Sequence, residues 1–241
     1  QDEQAAEPTA IEAAAPAAEA ETLDGPEEVP MHQALKTKFI EGGAGFMALV
    51  IACLILGLAL CIERILYLGF SKTNTKKLIA KVEAALKNGG YEAAKKACVE
   101  TRGPVAEIFA EVFVRLGKGQ SIEDAEKALV DRGGVESSKM EQNLSWISLF
   151  IAIAPSLGFL GTVIGMIQAF DAIMVAGDMS PAVVAGGMKV ALITTVGGLI
   201  VAVILQIFYN YILSQVESLT IDMEDASISL MDILVKYQDN K

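Results

Sequence analysis

Hydrophobic and polar positions alternate in long blocks along this chain. Three blocks carry no charged residue: 45–62, 142–170 and 190–216, which contain 18, 29 and 27 residues. A helix needs about 20 apolar residues to cross the hydrocarbon core of a bilayer, and a run of about 14 is more typical of a buried core helix. The pattern therefore predicts three transmembrane helices.

The polar block between the first two spans predicts a helical domain, so the fold class is an all-α membrane protein. Across 71–141 the apolar positions recur at helical spacing and strand-like alternation is absent. Gly89-Gly90 is a helix stop signal, and Ser121 followed by Asp124 has the spacing of a capping box.

Eight segments follow from these patterns. Met31, Leu35 and Phe39 recur at i, i+4 and i+8 ahead of the first span, which predicts a short interfacial helix. The expected segments are an acidic tail at 1–30, the interfacial helix at 31–41, transmembrane helices at 42–70, 142–171 and 189–216, a helical domain at 71–141, a connecting loop at 172–188 and a C-terminal tail at 217–241.

Charge is distributed unevenly. The first 30 residues hold nine acids, four of the seven prolines and neither Lys nor Arg, a composition that predicts disorder. The block 71–140 carries 13 Lys and Arg, the segment before the first span carries two, and the loop at 171–188 carries none. The positive-inside rule predicts a cytoplasmic helical domain, an external N-terminus and, from three spans, a cytoplasmic C-terminus. Gln1 in place of Met fits either a trimmed N-terminus or a removed signal peptide, and the external N-terminus is consistent with the second.

Several function classes are excluded by composition. Cys53, Cys61 and Cys98 form no CxxC pair and His32 is the only histidine, so we expect no disulfide framework, metal site or cofactor. The sequence has no basic patch with interleaved aromatic residues, which argues against nucleic-acid binding. It has neither a P-loop nor a nucleophile beside His32, so we expect no enzyme activity.

Small residues form one stripe on each of the last two spans. Span two carries Gly158, Gly161, Thr162 and Gly165 at i, i+3, i+4 and i+7, and Gly161 with Gly165 makes a GxxxG pair. Span three carries a matching set, extended toward the cytoplasmic end by two amides: Ala191, Thr195, Gly198, Ala202, Gln206 and Asn210. Two interpretations remain open: the stripes pack against each other within one subunit, or they face a lumen that receives a foreign helix.

No acidic or basic side chain lies at the middle of any span. Glu63 and Arg64 lie at a lipid boundary, where long side chains can snorkel, and Asp171 lies at another edge. A proton pathway through a membrane normally uses a titratable side chain. If protons cross here, the carboxylate has to come from another polypeptide. Pro155 is expected to kink span two.

Four segments resemble the ExbB/TolQ/MotA proton-channel family. They are APSLGFLGTVIGMIQAF (154–170), ALITTVGGLIVAVILQIFYNYI (191–212), NGGYEAAKKAC (88–98) and CIERILYL (61–68). The resemblance covers about residues 31–235. Three spans favour the ExbB/TolQ branch, because MotA-type proteins carry four.

The resemblance implies a pentameric ring in the bacterial inner membrane, with spans two and three around a central pore. A dimer of a single-span ExbD- or TolR-type partner would occupy that pore, and its transmembrane Asp would carry the proton. Thr162 and Thr195 match the family's pore threonines, and the small residues of the two stripes would make room for the partner helices. An ExbB-type subunit would energise a TonB-type protein, and a TolQ-type subunit would serve envelope maintenance. A third possibility is a passive membrane scaffold.

One position departs from the family pattern. Many members have a glutamate five residues before the span-three threonine, whereas this chain has Val190 with Lys189 beside it. Lys189 is expected either to pair with Asp171 or Asp178 near the outer mouth, or to snorkel to the outer surface.

Overall fold

All the secondary-structure elements in the described part of the chain are α-helices. A computed structural model describes residues 31–177 and 181–239. These ranges hold seven helices: α1 Met31–Glu41, α2 Ala44–Ser71, α3 Thr75–Val99, α4 Pro104–Gly117, α5 Ile122–Glu141, α6 Leu144–Ala176 and α7 Pro181–Asp239. The all-α prediction is confirmed. The acidic tail and Asp178 lie outside the described residues.

Three helices are long and apolar enough to cross a membrane, which confirms the predicted number of spans. They are α2, α6 and α7. At about 1.5 Å per residue, the 59 residues of α7 extend about 88 Å. A bilayer core is only about 30 Å thick, so α7 continues far beyond it into the polar domain.

The span helices pack as a hairpin flanked by α2. Close approaches pair Gly165 with Ala191 and Gly158 with Thr194, so α6 and α7 are antiparallel. On α2, Gly57 packs against Leu205 of α7. The helix α2 therefore covers one side of the α6–α7 pair.

The polar domain consists of α3, α4, α5 and the far end of α7. Within α3 the backbone breaks at Gly90 (φ 66°), the predicted stop signal. The chain reverses there, because Lys81 before the break pairs with Glu100 at 3.2 Å. Beside the turn, the rings of Tyr91 and Tyr237 meet edge-on with their centres 5.7 Å apart. This contact places the end of α7 at the end of the domain farthest from the spans.

Arg64 occupies a different environment from the one expected. Its side chain turns into the protein and is 4% exposed, instead of snorkelling at the lipid boundary. The guanidinium donates to the Lys139 carbonyl O at 3.1 Å, binds Glu63, and lies 4.8 Å from the ring centre of Tyr67. A guanidinium group can donate to several acceptors at once, so the buried Arg64 side chain links α2 to α5 through the Lys139 carbonyl.

The predicted capping box is present at the start of α5. The Asp124 backbone N–H donates to Ser121 Oγ at 3.1 Å, and the Ser121 N–H donates to Asp124 Oδ2 at 3.2 Å. We expect Ser121→Ala to cost about 1 kcal/mol, the usual loss for an N-cap. The thermal midpoint of the purified protein, followed by circular dichroism, should fall by about 2–4 °C. The control Ser138→Ala, on the same helix, should shift it less; equal shifts would contradict the prediction.

Candidate functional site

The predicted small stripes of α6 and α7 face each other. The members that lie buried at this interface are Gly158, Gly161, Gly165, Ala191 and Gly198. A methyl group added at Gly161 would lie 2.5 Å from Thr194 Oγ1, and one added at Gly165 would lie 3.1 Å from the Ala191 backbone N. Ala202 is half-buried at the edge.

This packing corrects the expectation that the five buried residues present a surface to a partner helix. Small residues let two helix backbones approach closely, and here the neighbouring backbone belongs to the same chain. Of the two interpretations left open above, packing within one subunit is the one that the structure has for these positions.

The two threonines singled out from the sequence lie at the edge of this interface and are half-buried. Thr195 Oγ1 is 3.3 Å from the carbonyl oxygens of both Gly158 and Ala191, and Thr162 Oγ1 donates to the Phe159 carbonyl O at 2.6 Å. Since a hydroxyl that donates its proton keeps its acceptor lone pairs, each side chain is still able to accept a hydrogen bond.

Thr194 is a buried polar residue that sequence reasoning missed. It is 1% exposed, and its hydroxyl donates to the Ala191 carbonyl O at 2.8 Å. The stripe was assigned to Thr195, at i+4 from Ala191, but Thr194, at i+3, shares a face with Ala191 and Gly198 equally well. Thr194 is turned by about 100° from Thr195 and points directly at Gly161.

The polar residues of the stripe predicted on α7 lie on the face of the helix that is turned away from α2. Gly197 faces Met47 of α2, and Thr195 is two residues earlier, about 200° around the helix. Gln206 and Asn210 follow Thr195 at i+11 and i+15, so they share its face. Both amides are exposed, and Gln206 Nε2 donates to Asn210 Oδ1 at 3.4 Å. The polar stripe on α7 therefore consists of Thr195, Gln206 and Asn210.

Lys189 forms an ion pair with a residue that was not proposed from the sequence. Its Nζ lies 2.8 Å from Glu41 Oε1, which corrects the expected pairing with Asp171; Asp178 lies outside the described residues. Lys38 binds the other Glu41 oxygen at 3.0 Å. The hydrogen bonds from Lys189 and Lys38 hold the pKa of Glu41 below its usual value. The pair joins α1 to the start of α7 across 148 positions, a separation that sequence spacing does not reveal.

Lys189→Gln should raise the pKa of Glu41 toward its usual value, because Glu41 loses the ammonium group that lowers its pKa most. In the wild type, the depressed pKa means that the ion pair holds at neutral pH and is lost as pH falls through that pKa. Infrared titration of the carboxyl stretch, with the band assigned by Glu41→Gln, measures the shift. Lys36→Gln, on the same helix, is the control, and an equal shift in both variants would contradict the assignment.

The described residues provide neither a metal-binding cluster nor a reactive thiol. No group of three or more His, Cys, Asp or Glu side chains within 31–177 and 181–239 is arranged to hold a metal ion. Burial raises the pKa of the Cys98 thiol to about 12, which leaves it protonated and unreactive at neutral pH.

Comparison with known proteins places this arrangement in a family. The family model described as the MotA/TolQ/ExbB proton channel family matches residues 100–225. One relative, from Methanothermobacter thermautotrophicus, is named as a biopolymer transport protein ExbB homolog. It is 34% identical over 183 residues, which cover 75% of this chain and 63% of the relative. The biopolymer transport protein ExbB of Neisseria gonorrhoeae is 36% identical over 89 residues, 37% of this chain and 40% of that protein.

The chain thus spans less than two thirds of the length of each of these relatives. The matched family consists of proton channels and transport components, which confirms the expectation that the chain is not an enzyme. With its three membrane-spanning helices and a family match over more than half of its length, the chain belongs to the MotA/TolQ/ExbB proton channel family.

Proposed function

We propose that the chain is the multi-pass subunit of a proton-conducting complex that converts proton-motive force into mechanical work for TonB-dependent outer-membrane transport. The observation that carries the proposal is the polar stripe on α7, which faces away from α2 in a helix without a central carboxylate. The ExbB names of the relatives reported above favour this role over envelope maintenance of the TolQ type.

The missing carboxylate comes from a second protein in this proposal. Copies of the chain, five in the ring that the family suggests, surround a dimer of an ExbD-type single-span helix with an intramembrane Asp. The Thr195 hydroxyl, already donating to backbone, accepts a hydrogen bond from the protonated Asp or from a water that reaches it. Thr162 serves the same purpose from α6.

The roles of the threonines are orientation and control of hydration, because a hydroxyl neither takes up an extra proton nor releases its own at neutral pH. The driving force is the membrane potential, which supplies about 2.3 kcal/mol per 100 mV for each charge that crosses. A rotation of the guest helices relative to the ring would carry this energy to a TonB-type protein.

The proposed orientation places the polar domain in the cytoplasm of a bacterium with its inner membrane as the host. The 13 Lys and Arg of residues 71–140 support this direction. Gln206 and Asn210 then lie toward the cytoplasmic end of the pathway, and Asp171 and Lys189 lie toward its periplasmic mouth.

Reconstitution tests the proposal. The chain is co-expressed with an ExbD-type single-span protein, purified, and placed in liposomes that contain a pH-sensitive dye. An imposed potential should drive proton uptake only when both proteins are present, and Asp→Asn in the partner helix should abolish it. Flux from the chain alone, or the absence of flux from a stable complex, would overturn the proposal and favour a passive scaffold.

A further inference from the structure

A cavity of about 540 Å³ lies where α2 leaves the span, between the ends of α3, α4 and α5. Its volume is within the range of ligand-binding pockets, about 300–1,000 Å³. Two apolar side chains that line it, Phe70 and Val99, are 82% and 70% exposed, so they stand at its mouth. Arg102, in the turn between α3 and α4, lines the cavity as well. The cavity therefore combines an apolar mouth with a cationic side chain.

The mouth of the cavity is on the side of α2 that faces lipid. Ile62, Leu66 and Phe70 are exposed at i, i+4 and i+8, and they point away from Gly57, which packs against α7. The helix α2 itself lies on the side of α7 opposite the polar stripe. In a ring that turns the polar stripe toward its lumen, this face of α2 is at the periphery, where an acyl chain can reach Phe70.

Four basic side chains lie at this end of α2 and have no ion pair among the described residues. They are Lys72, Lys76, Lys77 and Arg102, and all four are exposed. The Thr73 hydroxyl donates to the Arg102 carbonyl O, which holds Arg102 beside Lys72. A cluster of about four to eight Lys and Arg next to a transmembrane helix attracts anionic lipid headgroups. The unpaired charges therefore favour an anion at the membrane surface.

The first turn of α3 has the wrong charge for a helix N-terminus. It contains Lys76 and Lys77 but no acid. Because the N-terminus of a helix carries a partial positive charge, cations there are unfavourable and a nearby anion is favourable. The Asn74 side-chain oxygen caps the helix by accepting from the Lys77 N–H at 3.1 Å, but it brings no charge. A bound phosphate would supply the missing negative charge.

The acidic side chains of the cavity wall are already neutralised. Glu107 and Glu136 both line the cavity, and Glu136 is buried. Arg132 binds Glu107 at 2.7 Å and Glu136 at 2.9 Å, and Lys139 binds Glu136 at 2.8 Å. Among the described residues, Arg102 is the charged side chain of the lining that this pairing leaves unmatched. The wall therefore attracts an anion more than a cation.

We propose that this cavity and the basic cluster bind the phosphate of an anionic phospholipid from the leaflet on the side of the polar domain. Arg102 and Lys72 bind the phosphate oxygens, and the acyl chains extend along Leu66 and Phe70. The inference goes beyond the proposed function, since the site faces away from the polar stripe and needs no guest helix. Its failure would leave the proposed proton pathway standing.

Native mass spectrometry of the delipidated chain tests the site. The chain is titrated in detergent with phosphatidylglycerol or with phosphatidylcholine, and bound lipid is counted. We expect the anionic lipid to bind more tightly, and Arg102→Gln to lower its affinity about fivefold, the effect of one basic side chain near a lipid surface. Lys118→Gln is the control, since this exposed lysine lies at the other end of α4. Equal binding of the two lipids, or an equal loss in both variants, would overturn the proposal.

A pair of substitutions at the cavity mouth separates charge from apolar contact. Val99→Glu and Val99→Lys remove the same exposed side chain and introduce opposite charges. We expect Val99→Glu to weaken phosphatidylglycerol binding about fivefold and Val99→Lys to leave it unchanged or tighter. An equal fall in both variants would show that the headgroup charge is not recognised and would overturn the proposal.

Free glycerol phosphate distinguishes the two sources of a phosphate ester. It presents the same charged group without acyl chains, so it should fail to displace phosphatidylglycerol when both are present at the same concentration. Displacement under these conditions would overturn the assignment to a membrane lipid and make the cavity a site for a soluble phosphate ester.

Discussion

Gly198→Ala should destabilise the protein, although alanine is the better helix former. A methyl group at this position would overlap the Ala154 carbonyl O and lie 3.1 Å from Gly158 Cα, both in the backbone of α6. A backbone cannot swing aside as a side chain does, so α6 and α7 must separate. Overpacking of this kind costs about 1–3 kcal/mol, and the gain in helix propensity, about 1 kcal/mol in water, does not offset it.

The adjacent glycine provides the control. At Gly197 an added methyl group would meet only the end of the flexible Met47 side chain, at 3.2 Å from its Cε. Gly197→Ala should leave the thermal midpoint unchanged or slightly raised, whereas Gly198→Ala should lower it and reduce the yield of assembled protein. The same midpoint for both variants would show that the α6–α7 contact is looser than described.

Thr195→Val should strongly reduce proton flux while leaving the protein folded. Valine keeps the volume and the branched shape of threonine, so the edge of the α6–α7 interface stays filled, but the acceptor facing the partner's carboxyl group is lost. We expect flux through the reconstituted complex to fall by more than about tenfold, which corresponds to about 1.4 kcal/mol in the barrier. Dye-reported proton uptake under an imposed potential measures the change.

Thr194→Val separates this effect from a general loss of polarity. Thr194 is fully buried, faces Gly161 and bonds only within its own helix, so its hydroxyl is out of reach of a guest helix. The variant should conduct like the wild type. Particle size by light scattering confirms that both variants assemble. Retention of flux in Thr195→Val, or an equal loss in both variants, would remove threonine 195 from the pathway.

The features that could be predicted from the sequence are those determined by local composition. Uncharged runs specify membrane-crossing helices because charge is costly in lipid, and all three were found. The Ser121–Asp124 cap was also predictable, because each of its hydrogen bonds joins residues three apart. The reversal at Gly90 follows from a residue type that tolerates positive φ.

The features that could not be predicted depend on which neighbour a surface meets. Helical periodicity shows that Gly158, Gly161 and Gly165 share a face, but the same small residues suit a helix of the same chain or a guest equally well. The environment of Arg64 and the partner of Lys189 likewise depend on segments 75 and 148 positions away. Thr195 remains a candidate because it is only half enclosed.

The unbroken length of α7 has a mechanical consequence. Between Thr195 and Tyr237 the helix extends about 63 Å, so a tilt of about 5° pivoting at Thr195 displaces its far end by about 5 Å. A lever of this kind needs no relay of side chains. A movement of α7 within the membrane therefore shifts Tyr237 against the Tyr91 ring, which lies at the end of the polar domain farthest from the bilayer.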